Sequence, residues 1–134
     1  MKAWKLLLSG LLIAGPLVLS SCAPHGIPPG AEFLGKREVN FGMDRDTILV
    51  PRSAGPLHQL IVVARINPVE VYNIRVIFES GASEDYSVRE KLFGERDRLI
   101  VDLPGNARHV REVIFRYRTL NNAARRAVVE LWAR

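Results

Sequence analysis

Val71-Tyr-Asn-Ile-Arg-Val-Ile-Phe-Glu79 is the stretch that decides the fold. Tyr72, Ile74, Val76 and Phe78 fall on one side of an extended chain. Asn73, Arg75, Ile77 and Glu79 fall on the other. A period of two marks a strand with one face on a core and one on water; a helix would repeat its apolar positions every three or four residues. Ser80-Gly-Ala-Ser83 then supplies a turn, and Tyr86-Ser-Val88 a hairpin partner.

The same pattern extends in both directions. Upstream, Phe33–Phe41 and Asp44–Val50 read as strands ending at Gly42 and Pro51. Leu57–Ile66 contains Leu60-Ile-Val-Val63, a run long enough for a strand buried on both faces. Downstream, Arg98–Leu103 turns Leu99, Val101 and Leu103 inward. Pro104-Gly105 follows, with Gly placed where a type II turn needs positive φ. Val113, Phe115 and Tyr117 face inward on the next strand, opposite Ile114, Arg116 and Arg118. Arg126–Trp132 alternates once more and is read as strand, although Ala123–Glu130 contains good helix formers. Seven to eight short strands separated by turns predict an all-β chain: an antiparallel, jelly-roll-like β-sandwich.

The N-terminus reads differently. Lys2 and Lys5 precede Leu6–Leu19, 14 residues without a charge. Spanning a bilayer takes about 20 apolar residues, and Gly15-Pro16 interrupts this run. The segment reads as a signal peptide. Leu19-Ser-Ser-Cys22 resembles the bacterial lipobox, which implies cleavage before Cys22, a diacylglycerol on its thiol and an acyl chain on the new amine. Two or more chains hold a protein at a membrane firmly. Ala23 after the cysteine points to the outer membrane, facing the periplasm. The expected organisation is residues 1–21 as a removed signal, 22–31 as a lipidated Cys with a Pro/Gly-rich tether, and 32–134 as one β-domain.

Composition narrows the chemistry. From Cys22 to Arg134 there are 113 residues, with 17 basic and 14 acidic side chains. With Cys22 lipidated no other cysteine remains, which excludes disulfides, thiolate metal sites and a cysteine nucleophile. Fifteen of the 17 basic residues are Arg, whose planar forks suit phosphate and carboxylate. A GC-rich genome gives the same count without any ligand. Six acids lie between Glu79 and Asp97, and six Arg between Arg108 and Arg126. The expectation is that the two stretches pair with each other or with neighbours on the surface.

No motif for a nucleophile elbow, a phosphate loop or a paired-histidine metal site occurs, so no catalytic residue, metal or cofactor is expected beyond the lipid. His25, His58 and His109 stand alone and read as solvated or hydrogen-bonded side chains. Asp44-x-Asp46 carries two carboxylates on one strand face, a weak Ca²⁺ pattern more simply explained by pairing with an Arg. Asp44, Asp46 and His109 form the one hydrolytic set to check. Trp132, opposite Leu131, is a candidate sugar platform. Arg116, Arg118, Arg125 and Arg126 form the candidate partner-binding basic patch.

Leu34-Gly35, Asp44-x-Asp46-x-Ile48-x-Val50, Val76-x-Phe78-x-x-Gly81 and Asp102-Leu103-x-Gly105-x-x-Arg108-x-Val110-x-x-Val113-x-Phe115-x-Tyr117-Arg118 resemble a family of small secreted bacterial β-proteins grouped as a domain of unknown function. The resemblance implies a compact β-sandwich in the envelope and carries no site residues. The sequence thus predicts a non-catalytic envelope lipoprotein. Its partners would be the membrane, through its anchor, and an envelope protein or acidic glycan or lipid head group, not nucleic acid. A glycan- or peptidoglycan-binding module is the alternative.

Overall fold

A computed structural model describes residues 26–94, 96–121 and 125–134. The signal segment, Cys22 and His25 lie outside the described residues, as do Asn122 and the start of the helical alternative at Ala123. The chain runs β1 (Glu32–Val39), β2 (Asp44–Leu49), β3 (Gln59–Arg65), β4 (Val69–Phe78), β5 (Ser83–Leu92), β6 (Arg98–Asp102), β7 (Val110–Thr119) and β8 (Ala127–Ala133). A single 3-10 turn lies at Arg52–Ala54. The strands form two four-stranded antiparallel sheets, ordered β1-β8-β3-β6 and β2-β7-β4-β5. That order is an eight-stranded jelly roll, and all-β was the class the alternation predicted.

The core lies between the sheets. Val113, Phe115 and Tyr117 of β7, Ile74, Val76 and Phe78 of β4, and Val129 and Leu131 of β8 are buried in it. Leu99, Val101 and Leu103 point inward as read from the sequence. Gly105 takes φ 84° after Pro104, the positive φ its turn needs.

Two expectations need correction. Tyr72 does not share a face with Ile74. The pairing of β4 shifts between Val71 and Asn73, so Val69 and Val71 point inward before the shift and Ile74, Val76 and Phe78 after it. Tyr72 is the extra residue of this bulge, half-buried on the outer side. One extra residue is enough to flip the phase of a strand. Where the same stretch of β4 shifts against β5, Arg89 of β5 takes a positive φ of 47° within its strand.

The second correction concerns the tether. Ile27 and Pro28 are buried, not free. Ile27 and Ala31 pack with Trp132 over Ile61 and Val63, on the outer face of the β1-β8-β3-β6 sheet. This explains why Leu60, Ile61, Val62 and Val63 are all fully buried. Their β-branched run requires two covers, and the second is the Pro-rich segment itself. The folded domain therefore begins by Ile27 instead of Glu32.

Candidate functional site

The outer face of the β2-β7-β4-β5 sheet is built by alternation. Tyr117, Phe115 and Val113 point into the core, so Arg116, Ile114 and Arg118 of β7 point out. On β2, buried Ile48 fixes Arg45, Thr47 and Leu49 as outward. Arg45 stands directly opposite Arg116 across the β2–β7 ladder. On the other side of β7, Asn73 of β4 stands opposite Arg116, and Arg75 opposite Ile114. These five side chains (Arg45, Asn73, Arg75, Ile114 and Arg116) line a cleft of about 160 Å³. A second hollow of about 460 Å³ shares Arg45, Asn73 and Arg116 and extends along Met43, Asp44 and Tyr72.

The charges in this region are not equivalent. The Arg75 guanidinium donates to both Asp85 oxygens, from Nε at 2.8 Å and Nη2 at 2.9 Å. That hydrogen bond holds the Asp85 carboxyl below its usual range and raises Arg75. Arg118 donates to Glu70 at 3.1 Å, its guanidinium 5.7 Å from the Tyr72 ring centre. Among the described residues, Arg45 and Arg116 have no carboxylate partner. Like charges directly opposite on a ladder are destabilising, so the Arg45–Arg116 pair opposes folding.

The predicted basic patch does not come together. Arg116 and Arg118 share this outer face. Arg126 instead precedes β8 in the other sheet and lies 3.8 Å from Glu38. Arg125 belongs to the same β7–β8 connection, and its carbonyl accepts from the Asn67 side chain. For these residues the expected pairing takes its second form, with neighbours on the surface and not with the acidic stretch. Arg118 and Arg126 find Glu70 and Glu38, both outside residues 79–97.

The other candidates have structural partners. Asp46 accepts from the Tyr117 hydroxyl at 2.6 Å, where an Arg was expected. Asp44 accepts from the Asn40 and Arg45 backbone N–H groups, each at 2.9 Å. Arg108 lies 3.9 Å from the Phe78 ring centre, far along β7 from both carboxylates. His109 lines a hollow with Arg52 and Glu79 just before β7 begins. Asp46 pairs with Phe115, six residues further on, which is about 20 Å at strand rise. Asp44, Asp46 and His109 are therefore not one site. Among the described residues no group of three or more His, Cys, Asp or Glu is placed to hold a metal ion.

Trp132 is half-buried beneath the N-terminal segment. Its Nε1–H donates to Glu130 at 3.0 Å, and its ring meets Phe33 edge-on at 5.2 Å. The indole is thus committed to covering the sheet, and Phe33 is the more open of the two rings.

Arg45, Asn73, Arg75 and Ile114 are the cleft members that the sequence did not single out. Each was legible as outward-facing, but their meeting at Arg116 depends on strand order, which no local pattern carries.

Fold and face together define a small jelly-roll domain with an unneutralised arginine pair on one sheet. The chain belongs to the domain of unknown function family DUF2541, whose model matches residues 6–133. No curated protein and no solved structure matches it.

Proposed function

We propose that the chain is a non-catalytic recognition domain, held at a bacterial outer membrane by a lipid on Cys22, that binds an anionic envelope component through the outer face of the β2-β7-β4-β5 sheet. The observation that carries this reading is the Arg45–Arg116 pair. Two exposed arginines stand opposite each other on the ladder, and among the described residues neither has a carboxylate partner. A bound anion turns that repulsion into attraction. The Leu19-Ser-Ser-Cys22 sequence supports the anchor.

The test is crosslinking in intact cells followed by mass spectrometry, comparing the natural chain with Arg45→Glu/Arg116→Glu. Loss of the crosslinked species in the charge-reversed chain, with folding intact by circular dichroism, is the expected result. An unchanged crosslinking pattern removes the reading. For the anchor, Cys22→Ser is expected to move the protein out of the membrane fraction or leave it unprocessed. Cys22→Ser protein that is cleaved and pelleted as before dismisses the lipid.

A further inference from the structure

The cleft between Arg45, Arg116 and Asn73 is dominated by hydrogen-bond donors. Asp44, the acid that lines the adjoining hollow, already accepts from the Asn40 and Arg45 backbone N–H groups, one at each oxygen. Asp85 is taken up by Arg75. Asn73 completes the arrangement in an unusual way. Its Oδ1 is shut away from solvent without a donor. The open end of its amide is therefore Nδ2, and Asn73 lines both hollows together with the two arginines. A buried acceptor without a partner is costly, and native folds retain few of them. Leucine at this position would avoid the loss; asparagine keeps an N–H turned toward the cleft.

We propose that Arg45, Arg116 and the Asn73 Nδ2 bind the phosphate of a phosphomonoester, whose organic body lies along Tyr72 and Met43. This rests on the reading of the face as a recognition surface and names its ligand chemistry. The donor count selects phosphate. A carboxylate has two oxygens and saturates one arginine fork, whereas a phosphomonoester offers three terminal oxygens and up to two negative charges to two forks. The adjoining hollow of about 460 Å³ has room for the group that bears the phosphate. Tyr72 lines it only because the β4 bulge turns that ring out of the core phase. The phosphate source is either a soluble sugar phosphate or a lipid head group, and both present the same atoms.

The experiment is a calorimetric titration of the full chain in neutral detergent micelles with inorganic phosphate, with glucose 1-phosphate, and with phosphatidic acid doped into the micelles. Saturable binding is expected, tighter for the two esters than for inorganic phosphate. Preference for glucose 1-phosphate identifies a sugar source, and preference for phosphatidic acid a lipid source. Arg45→Ala and Arg116→Ala are each expected to weaken binding about tenfold or more, as for loss of a charge-assisted fork. Arg52→Ala, which removes the same charge at the far end of the domain, is expected to leave it unchanged. Tyr72→Ala should bring the esters down to inorganic phosphate. Asn73→Leu should weaken binding and raise the melting temperature of the unliganded protein, a pairing that a purely structural asparagine would not give. Absence of binding to all three probes at millimolar concentration overturns the proposal, as does an equal loss in Arg52→Ala. If the probes fail while Arg45→Glu/Arg116→Glu still abolishes the cellular crosslink, the phosphate chemistry is wrong and the face stands. If both fail, the reading of the face falls too.

Discussion

Tyr117 shows how one residue links the two halves of the edge. Its ring is fully buried among core side chains, 5.9 Å from Phe115, and its hydroxyl donates to Asp46 at 2.6 Å. Burial first, and then that hydrogen bond, push the phenol far above its usual value of 10.0. Its contribution to stability is therefore complete below pH 10.0 and declines as pH climbs from there toward the folded value. One such group costs about 1.4 kcal/mol per pH unit over that range. Denaturation at pH 9 to 11 should show a steeper fall for the natural chain than for Tyr117→Phe, with Tyr86 contributing to what remains. Equal slopes would show that the phenol ionises freely. Arg116 makes the opposite case, a residue that weakens its own fold. Arg116→Glu places opposite charges across the β2–β7 ladder and should raise stability by about 0.5 kcal/mol; a loss in urea denaturation would mean that Arg116 is held by contacts other than Arg45. The inward phase of Tyr117 was readable from Val113-x-Phe115-x-Tyr117, but its partner was not. Asp46 lies 71 residues away and meets it only because β2 closes the sheet against β7.

At the scale of elements, alternation located the strands and missed the places where they break phase. The Val71–Phe78 stretch alternates without a flaw in sequence, yet the β4 ladder shifts between Val71 and Asn73 against both neighbours. Nothing local to Tyr72 marks it as an extra residue; the inward demands of Val69 and Val71 on one side and Ile74 on the other force the bulge. The same limit applies to β1, whose register shifts between Phe33 and Gly35. There the sheets approach so closely that a Cβ on Gly35 would stand 2.8 Å from the Ile48 Cγ2. Gly35→Ala should destabilise the domain by about 1–3 kcal/mol through overpacking against buried Ile48. In an Ile48→Ala background the same change should cost close to nothing, because the obstructing methyl is gone. A double-mutant cycle in urea reads the coupling, and additive costs would show that the strain of Gly35→Ala lies in the backbone.

At the scale of the whole molecule, the two outer faces have different fates, and the N-terminal segment decides which is which. The β1-β8-β3-β6 face is covered by Ile27, Ala31 and Trp132, and this cover was the part of the chain that composition alone read as a loose tether. Prolines ruled out helix and ladder strand there but said nothing against burial, and the doubly apolar run Leu60–Val63 was the signal that a cover was needed. The consequence concerns orientation. Ile27 is fixed on the sheet, and the chain from Cys22 to Ile27 reaches at most about 17 Å when fully extended. If Cys22 carries a lipid, that leash is short enough to hold the covered face toward the bilayer. The Arg45–Arg116 face, on the far side of two sheets about 10 Å apart, then points away from its own membrane. A soluble probe on Ile100, outward on β6, and one on Leu49, outward on β2, distinguish the two sides. In protein reconstituted into vesicles carrying head-group quenchers, the Ile100→Cys probe should be quenched more strongly than the Leu49→Cys probe. Equal quenching would mean that the domain tumbles freely on its anchor, and stronger quenching at Leu49 would turn the arginine pair toward the phosphates of its own bilayer.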